Sequence, residues 1–353
     1  MRFEKEVLAT DMVKPYAIGM LMGDDAKSFV VATEKDGPCR RFALDGTQME
    51  DINEGPGGVM TVMQTPGRTD QLMATYKFFS PNFGGDDAKI ATYTRQKDGF
   101  WKCQILCDLP YVHRFGVLKG TDGQEWLIAC TIKSACRQYK NDWKTPGAVY
   151  VAKLPSDNLE QFDKDHQLKL TCLATYQLQN HGYYTAPDRS YALVGTAAGA
   201  FRYTPPAKEG DEWQVDCLIV DPTSDMALGD FDGDGKEEIV TISRFHGDTL
   251  SVWHQTENED CYEKVWEDPE KRPFLHAIWS GELYGKSCAV LGNRKGGRDL
   301  LKLTYENGNY EVQIIDHDCG PANCWVYNTD GCDYIISANR ESNEVALYEV
   351  IDE

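Results

Sequence analysis

The feature that most constrains this chain is a repeat. Short β-rich runs, each closed by Gly, Asp, Asn or Pro, follow one another in sets of four. The third set is the clearest, with runs at 113–118, 126–130, 148–152 and 168–173. Seven sets fit the 353 residues at roughly 50 residues each, a little above the usual four-stranded blade. Their approximate bounds are 12–55, 56–110, 111–175, 176–221, 222–273, 274–318 and 319–353. The last set supplies three strands, and the free strand-like segment at 3–10 is the candidate for its fourth, which would close the ring and remove an open sheet edge. No stretch sustains a helical period. The expectation is an all-β chain, one seven-bladed β-propeller domain over 1–353. A pair of β-sandwiches is the alternative, and it leaves the repeat length unexplained.

Charge and length narrow the function classes. A formal charge of −20 argues against holding nucleic acid or an anionic membrane by charge. The segment beginning Met1-Arg2-Phe3-Glu4 has no apolar signal core, and no apolar run is long enough to span a bilayer, so a soluble cytoplasmic protein is expected. Most of the twelve cysteines, Cys130 and Cys172 among them, lie in apolar runs and read as reduced, buried small hydrophobes.

One loop carries cation chemistry. In Asp230-Phe231-Asp232-Gly233-Asp234-Gly235-Lys236-Glu237-Glu238, three carboxylates alternate, and two glycines let the backbone curl around a centre. Asp230, Asp232, Asp234 and Glu238 would offer side-chain oxygens and Lys236 its carbonyl to a hard ion, calcium or magnesium. An EF-hand is excluded, because the twelfth loop position is Thr241, inside a β-branched run. The loop joins two strand-like runs, and here the sequence resembles the FG-GAP (VCBS-type) propeller repeat, whose hallmark is such an acidic loop between a blade's first two strands. In that setting the ion clips a hairpin and is structural.

Histidines gather elsewhere. His113, His181 and His276 start the first strands of sets three, four and six, and His246 follows the second strand of set five. In a propeller these positions share one face and its channel mouth, as does His317 in the connection between sets six and seven. Imidazoles from successive blades suit a transition metal, zinc above all, with an open position for chemistry. Each histidine alone reads as an ordinary core or surface imidazole. His166 and His254 map to a loop and an outer strand, outside the set. The same face collects Arg114, the 294–298 loop with Arg294 and Arg298, and Asn339 with Arg340. That company suits a polar, oxygen-rich substrate, on which Tyr184 and its aromatic neighbours could stack.

The phrases at 113–115, 146–150, 276–282, 292–296, 317–323 and 337–341 resemble the propeller domain of aldos-2-ulose dehydratase and its relatives. The resemblance implies a metal-dependent lyase that removes water from a keto-sugar such as 1,5-anhydrofructose or glucosone by β-elimination. The fungal form adds cupin domains for a further isomerisation, which this chain lacks. On this reading His113, His181, His276 and His246 hold the metal, and His317, oriented by Asp316 or Asp318, moves protons. Arg114 and Arg294 hold the enediolate oxygens, while Tyr184, Arg298, Asn339 and Arg340 contact the sugar. Two other classes stay open, a non-catalytic carbohydrate- or protein-binding propeller and a propeller-type polysaccharide lyase, the latter disfavoured by the overall acidity.

Overall fold

The strands pair in fours. A computed structural model describes residues 1–23, 27–53, 57–79, 84–136, 142–155, 158–208, 210–258 and 260–352. Its sheets are seven, each of four antiparallel strands, and six of them follow chain order. The fold class is the expected one, an all-β, seven-bladed β-propeller. The expected boundary at 55/56 lies outside the described residues. Among those described, one 3-10 turn, Leu159–Gln161, is the sole helical element. No helix among them is long and apolar enough to cross a membrane.

The chain forms two compact units, Met1–Tyr16 with Leu218–Glu353, and Ala17–Cys217. The first holds blades five to seven. Blade five comprises Thr223–Gly229, Glu238–Ser243, Thr249–Gln255 and Tyr262–Glu267. Blade six comprises Leu275–Leu283, Lys286–Asn293, Leu300–Glu306 and Asn309–Asp316. Blade seven takes Asn323–Asn328, Asp333–Asn339 and Glu344–Ile351 from the end of the chain and Arg2–Ala9 from its start, with Phe3 opposite Val350 and Lys5 opposite Tyr348. The N-terminal strand thus completes the last blade, as its pattern suggested. In the other unit, blade three opens with Val112–Lys119 and blade four with Gly182–Thr185.

Burial explains why these sequences read as strands of different kinds. A second strand such as Lys286–Asn293 is buried over its last six positions, because blades five and seven cover its two faces. Outermost strands such as Tyr262–Glu267 and Asn309–Asp316 leave half or more of their positions in solvent and carry charge there, which protects an exposed edge from pairing. The cores lie between blades. Val240, Ile242, Leu250 and Val252 of blade five meet Leu275, Leu291, Leu301 and Tyr310 of blade six.

The cysteine expectation needs correction. All twelve are free, but only Cys39, Cys107, Cys130, Cys288, Cys319 and Cys324 are buried. Cys172 is exposed, because its apolar-looking run is the outermost strand of blade three, Thr171–Gln177.

A recurring irregularity marks the innermost strands. Blade three pairs Val112 with Thr131 and then Arg114 with Cys130, leaving His113 as an extra residue. Blade six does the same around His276, and blade five around Ser224. Such bulges bend the strand and re-aim the side chain at the extra position.

Candidate metal centres

The acidic loop connects the first two strands of blade five, where the sequence places it. Phe231 is buried in the core between blades five and six and pins the loop down, while its acidic neighbours remain nearer solvent. Gly233 and Gly235 adopt φ of 79° and 88°, and this left-handed conformation makes the tight curl. Asp230 spends both carboxylate oxygens on that curl, accepting the Gly233 N–H at 2.7 Å and the Gly235 N–H at 3.1 Å.

Glu238 faces inward and is fully buried. Its Oε2 accepts the Phe231 N–H at 2.7 Å, whereas its Oε1 has no hydrogen-bond partner. A buried carboxylate oxygen left unsatisfied costs free energy unless a cation or proton compensates it. Burial, reinforced by the charge of Asp232, pushes the Glu238 carboxyl up to about 7.

The fourth participant is His254, on the third strand. Asp232, Asp234, Glu238 and His254 each present one donor atom, and all four atoms lie within 4.8 Å of one another. His254 Nε2 stands 3.1 Å from Asp234 Oδ2, 3.6 Å from Glu238 Oε1 and 3.8 Å from Asp232 Oδ2. Desolvation alone would lower its pKa, but hydrogen bonds to the Gln255 carbonyl and Asp234 and the field of Glu238 outweigh this and raise it. Asp234 is held below the usual carboxylate range, first by the Lys236 N–H at 2.8 Å and then by His254. Tyr310, from the outer strand of blade six, closes the group. Burial, then the charges of Glu238 and Asp232, keeps its phenol protonated, and its hydroxyl also lacks a partner.

Sequence reasoning set His254 aside as an outer-strand residue. It belongs instead to the third strand, and the signal lay in the ladder: Ile239 pairs with Trp253 and Val240 with Val252. Glu238-Val240-Ile242 and Leu250-Val252-His254 are therefore the alternate positions of adjacent strands, one polar residue ending each apolar row. Of the five loop residues expected to bind the ion, Asp232, Asp234 and Glu238 converge, and the Asp230 carboxylate shapes the backbone.

The first-strand histidines are buried within their units. In one, the His113 and His181 rings lie 4.7 Å apart, with Phe78 edge-on to His113 at 5.5 Å. Arg114, on the same strand, is buried and donates to the Met60 carbonyl at 2.6 Å. In the other unit His276 is the bulge residue. A carbonyl can only accept, so the 2.8 Å contact of His276 Nδ1 with Ala322 O places the proton on Nδ1. Nε2 is left with its lone pair, facing the Tyr16 hydroxyl at 3.0 Å. His246 stacks between Phe245 and Phe274 at 3.8 and 4.4 Å, and its ring lies 5.5 Å from that of His276. Its backbone N–H donates at 3.2 Å to Oγ of Ser224, the bulge residue of blade five.

Around these rings the expected polar residues are placed as follows. Arg294 lies over Phe274 at 4.7 Å and binds Glu341 Oε1 through Nε at 2.9 Å and Nη2 at 2.8 Å. Arg340 reaches the same oxygen at 2.6 Å, and Lys14 the other at 3.4 Å. Burial would raise Glu341, but these guanidinium groups hold it below the usual range. Arg298 pairs with Asp318, and Tyr184 is half-buried. Asn339 lies inside blade seven, held by Ser337 and Tyr348.

The orientation of His317 corrects the expectation. Its Nδ1 meets Asp299 Oδ1 at 2.8 Å. Asp316 instead takes the His317 backbone N–H, Lys5 and the Tyr348 hydroxyl, and Asp318 takes Arg298. Asp299 supplies the carboxylate because the 294–299 turn packs on the 316–320 turn, with the Asp318 and Cys319 N–H groups donating to Gly297 and Arg298.

No protein-family model and no curated protein matches the chain. Among solved structures it is similar to the PQQ-bound form of aldose sugar dehydrogenase from Streptomyces coelicolor. The two share 11% identity over 99% of each chain, with a TM-score of 0.48. Likeness at that level carries no functional information.

Proposed function

We propose that this propeller is a metal-dependent hydro-lyase that dehydrates a small keto-sugar of the 1,5-anhydrofructose or aldos-2-ulose type. The observation that carries the reading is His276. Its tautomer is fixed by a backbone carbonyl, and its Nε2 lone pair is presented from a bulge beside His246, the arrangement that metal-binding imidazoles require. The keto-sugar class itself rests on the resemblance of the 113–115, 276–282, 292–296 and 317–323 phrases to the dehydratase family.

His246 and His276 are the imidazoles of their unit suited to hold zinc or a similar ion, as His113 and His181 are of theirs. The Tyr16 hydroxyl is the present partner of Nε2, and it would have to turn aside for a metal. When bound, such an ion polarises a substrate carbonyl and acidifies the adjacent C–H. His317, held at Nδ1 by Asp299, has Nε2 available as base. Arg294, Arg340 and Lys14 converge on Glu341, and guanidinium groups gathered there suit the oxygens of an enediolate.

The test incubates the purified protein with 1,5-anhydrofructose and glucosone, with and without chelator, and follows the conjugated enone by absorbance. The expected result is a chelator-sensitive signal that falls at least ~100-fold in His276→Ala, as loss of a metal ligand or its support does. A protein that holds a transition metal but leaves both sugars unchanged would refute the substrate class. Undiminished activity in His276→Ala would refute the site.

A second reading has its own observation. The converging Asp232, Asp234, Glu238 and His254 favour a divalent cation in blade five whatever the other face does. A binding propeller without catalysis would keep that ion, and it would show no enone with either sugar.

A further inference from the structure

We propose that the blade-five loop holds a first-row transition ion such as Zn2+ or Mn2+ through Asp232, Asp234, Glu238 and His254, in preference to calcium or magnesium. The proposal rests on reading the loop as a cation site, and it adds a nitrogen ligand from another strand and a class of metal. The acidic residues alone would not carry it. The deciding observations are the fully buried Glu238, whose Oε1 has no hydrogen-bond partner and points at the other donors, and the orientation of His254.

His254 Nδ1 contacts the Gln255 carbonyl at 2.8 Å, so Nδ1 carries a proton. Backbone anchoring of one ring nitrogen is how ligating histidines are held. It turns Nε2 toward three carboxylates at 3.1, 3.6 and 3.8 Å. A bare lone pair facing three anions is untenable, and a positive charge belongs between them. Those separations are close to the edge of a tetrahedron built on ~2.1 Å metal bonds, about 3.4 Å. Calcium asks for six to eight oxygens at longer range. This loop diverts both oxygens of Asp230 to the Gly233 and Gly235 N–H groups, and it offers an imidazole that a hard cation does not favour. Because His254 lies on the third strand, the ion would tie the first hairpin of the blade to the strand beyond it.

The test is calorimetric titration of the metal-stripped full chain with Mn2+, Zn2+, Ca2+ and Mg2+. It is run in a His113→Ala/His276→Ala background, so that ions at the first-strand histidines are not counted. Mn2+ and Zn2+ should bind at least ~10-fold more tightly than Ca2+, and His254→Gln should remove that preference while leaving Ca2+ affinity unchanged, since imidazole selects the transition ions. Nitrogen coupling to bound Mn2+ in pulsed electron paramagnetic resonance should disappear in the same variant. His254→Asp should still bind an ion but now favour Ca2+, which keeps the inference testable should His254→Gln fold poorly. Tighter Ca2+ binding that is indifferent to His254→Gln would overturn the inference and leave the loop an oxygen-only cation site. Absence of binding by all four ions would overturn the loop reading as well, with a protonated His254 as the compensating charge.

Discussion

Replacing Glu238 with Gln should stabilise the protein without metal and destabilise it with metal, a reversal of sign that few other substitutions would give. Glu238 is a fully buried carboxyl pushed from 4.5 to about 7, first by burial and then by Asp232. Asp232 and Asp234 face it from the loop, His254 from the third strand and Tyr310 from the next blade. An acid whose folded pKa lies above its unfolded one contributes stability below the unfolded value, here 4.5, and loses it as the pH rises through about 7. Metal-free wild-type protein should therefore lose about 3 kcal/mol between pH 4.5 and 8 at this residue. Glu238→Gln keeps an oxygen for the Phe231 N–H, removes the charge and should flatten that slope. At roughly 2 cal/mol/K per residue, 3 kcal/mol is about 4 °C if the whole chain melts together and about twice that if the unit holding the loop melts alone. With metal at a thousandfold excess over its dissociation constant, the wild type should gain about 4.1 kcal/mol and the variant far less, having lost a ligand, so the order reverses by about 1 kcal/mol. The assay is calorimetric melting at pH 8 with chelator and with metal. A Glu238→Gln protein that melts at or below wild type in chelator would show that the buried carboxyl is already compensated, and the reasoning would fail.

Asp299→Asn should lower kcat by about 10- to 100-fold with KM little changed and displace the pH–rate profile, since Asp299 sets the tautomer and orientation of His317. An unchanged profile would place His317 outside proton transfer. Deleting residues 2–9 should lower the melting temperature by several degrees and cause concentration-dependent association measurable by light scattering. It strips the outer strand from blade seven, its Phe3 packing and the Lys5 pairs to Asp316 and Glu344, and it bares the 344–351 edge.

How much of this was legible in the sequence depends on whether a feature is local. The four-strand sets, the borrowed N-terminal strand and the acidic loop were readable, because turn residues, alternation and an Asp-Gly rhythm are written in consecutive positions. His254 and Tyr310 were not. Their place at the loop follows from the pairing of Val240 with Val252 and from the packing of one blade on the next, and neither is fixed by spacing. Asp299 escaped for the same reason, since Asp316 and Asp318 adjoin His317 in the chain while Asp299 adjoins it through packed turns.

The bulges show the limit most clearly. Val112-His113-Arg114-Phe115 reads as an unbroken strand, in which alternation would set His113 and Phe115 on one face. An extra residue at His113 interrupts that alternation, and it exists only because Thr131 and Cys130 on the partner strand accept Val112 and Arg114 on either side. The same insertion at Ser224 and at His276 makes it a property of the blade's architecture rather than of any one sequence. A bulge disrupts the ladder locally, so its recurrence at the start of three innermost strands needs a reason beyond stability. Two of the three extra residues are buried histidines, and the third, Ser224, receives the backbone N–H of another histidine, His246. Aiming imidazoles from the ends of innermost strands accounts for all three, and it is why the catalytic reading is attached to these strands rather than to the cation loop of blade five.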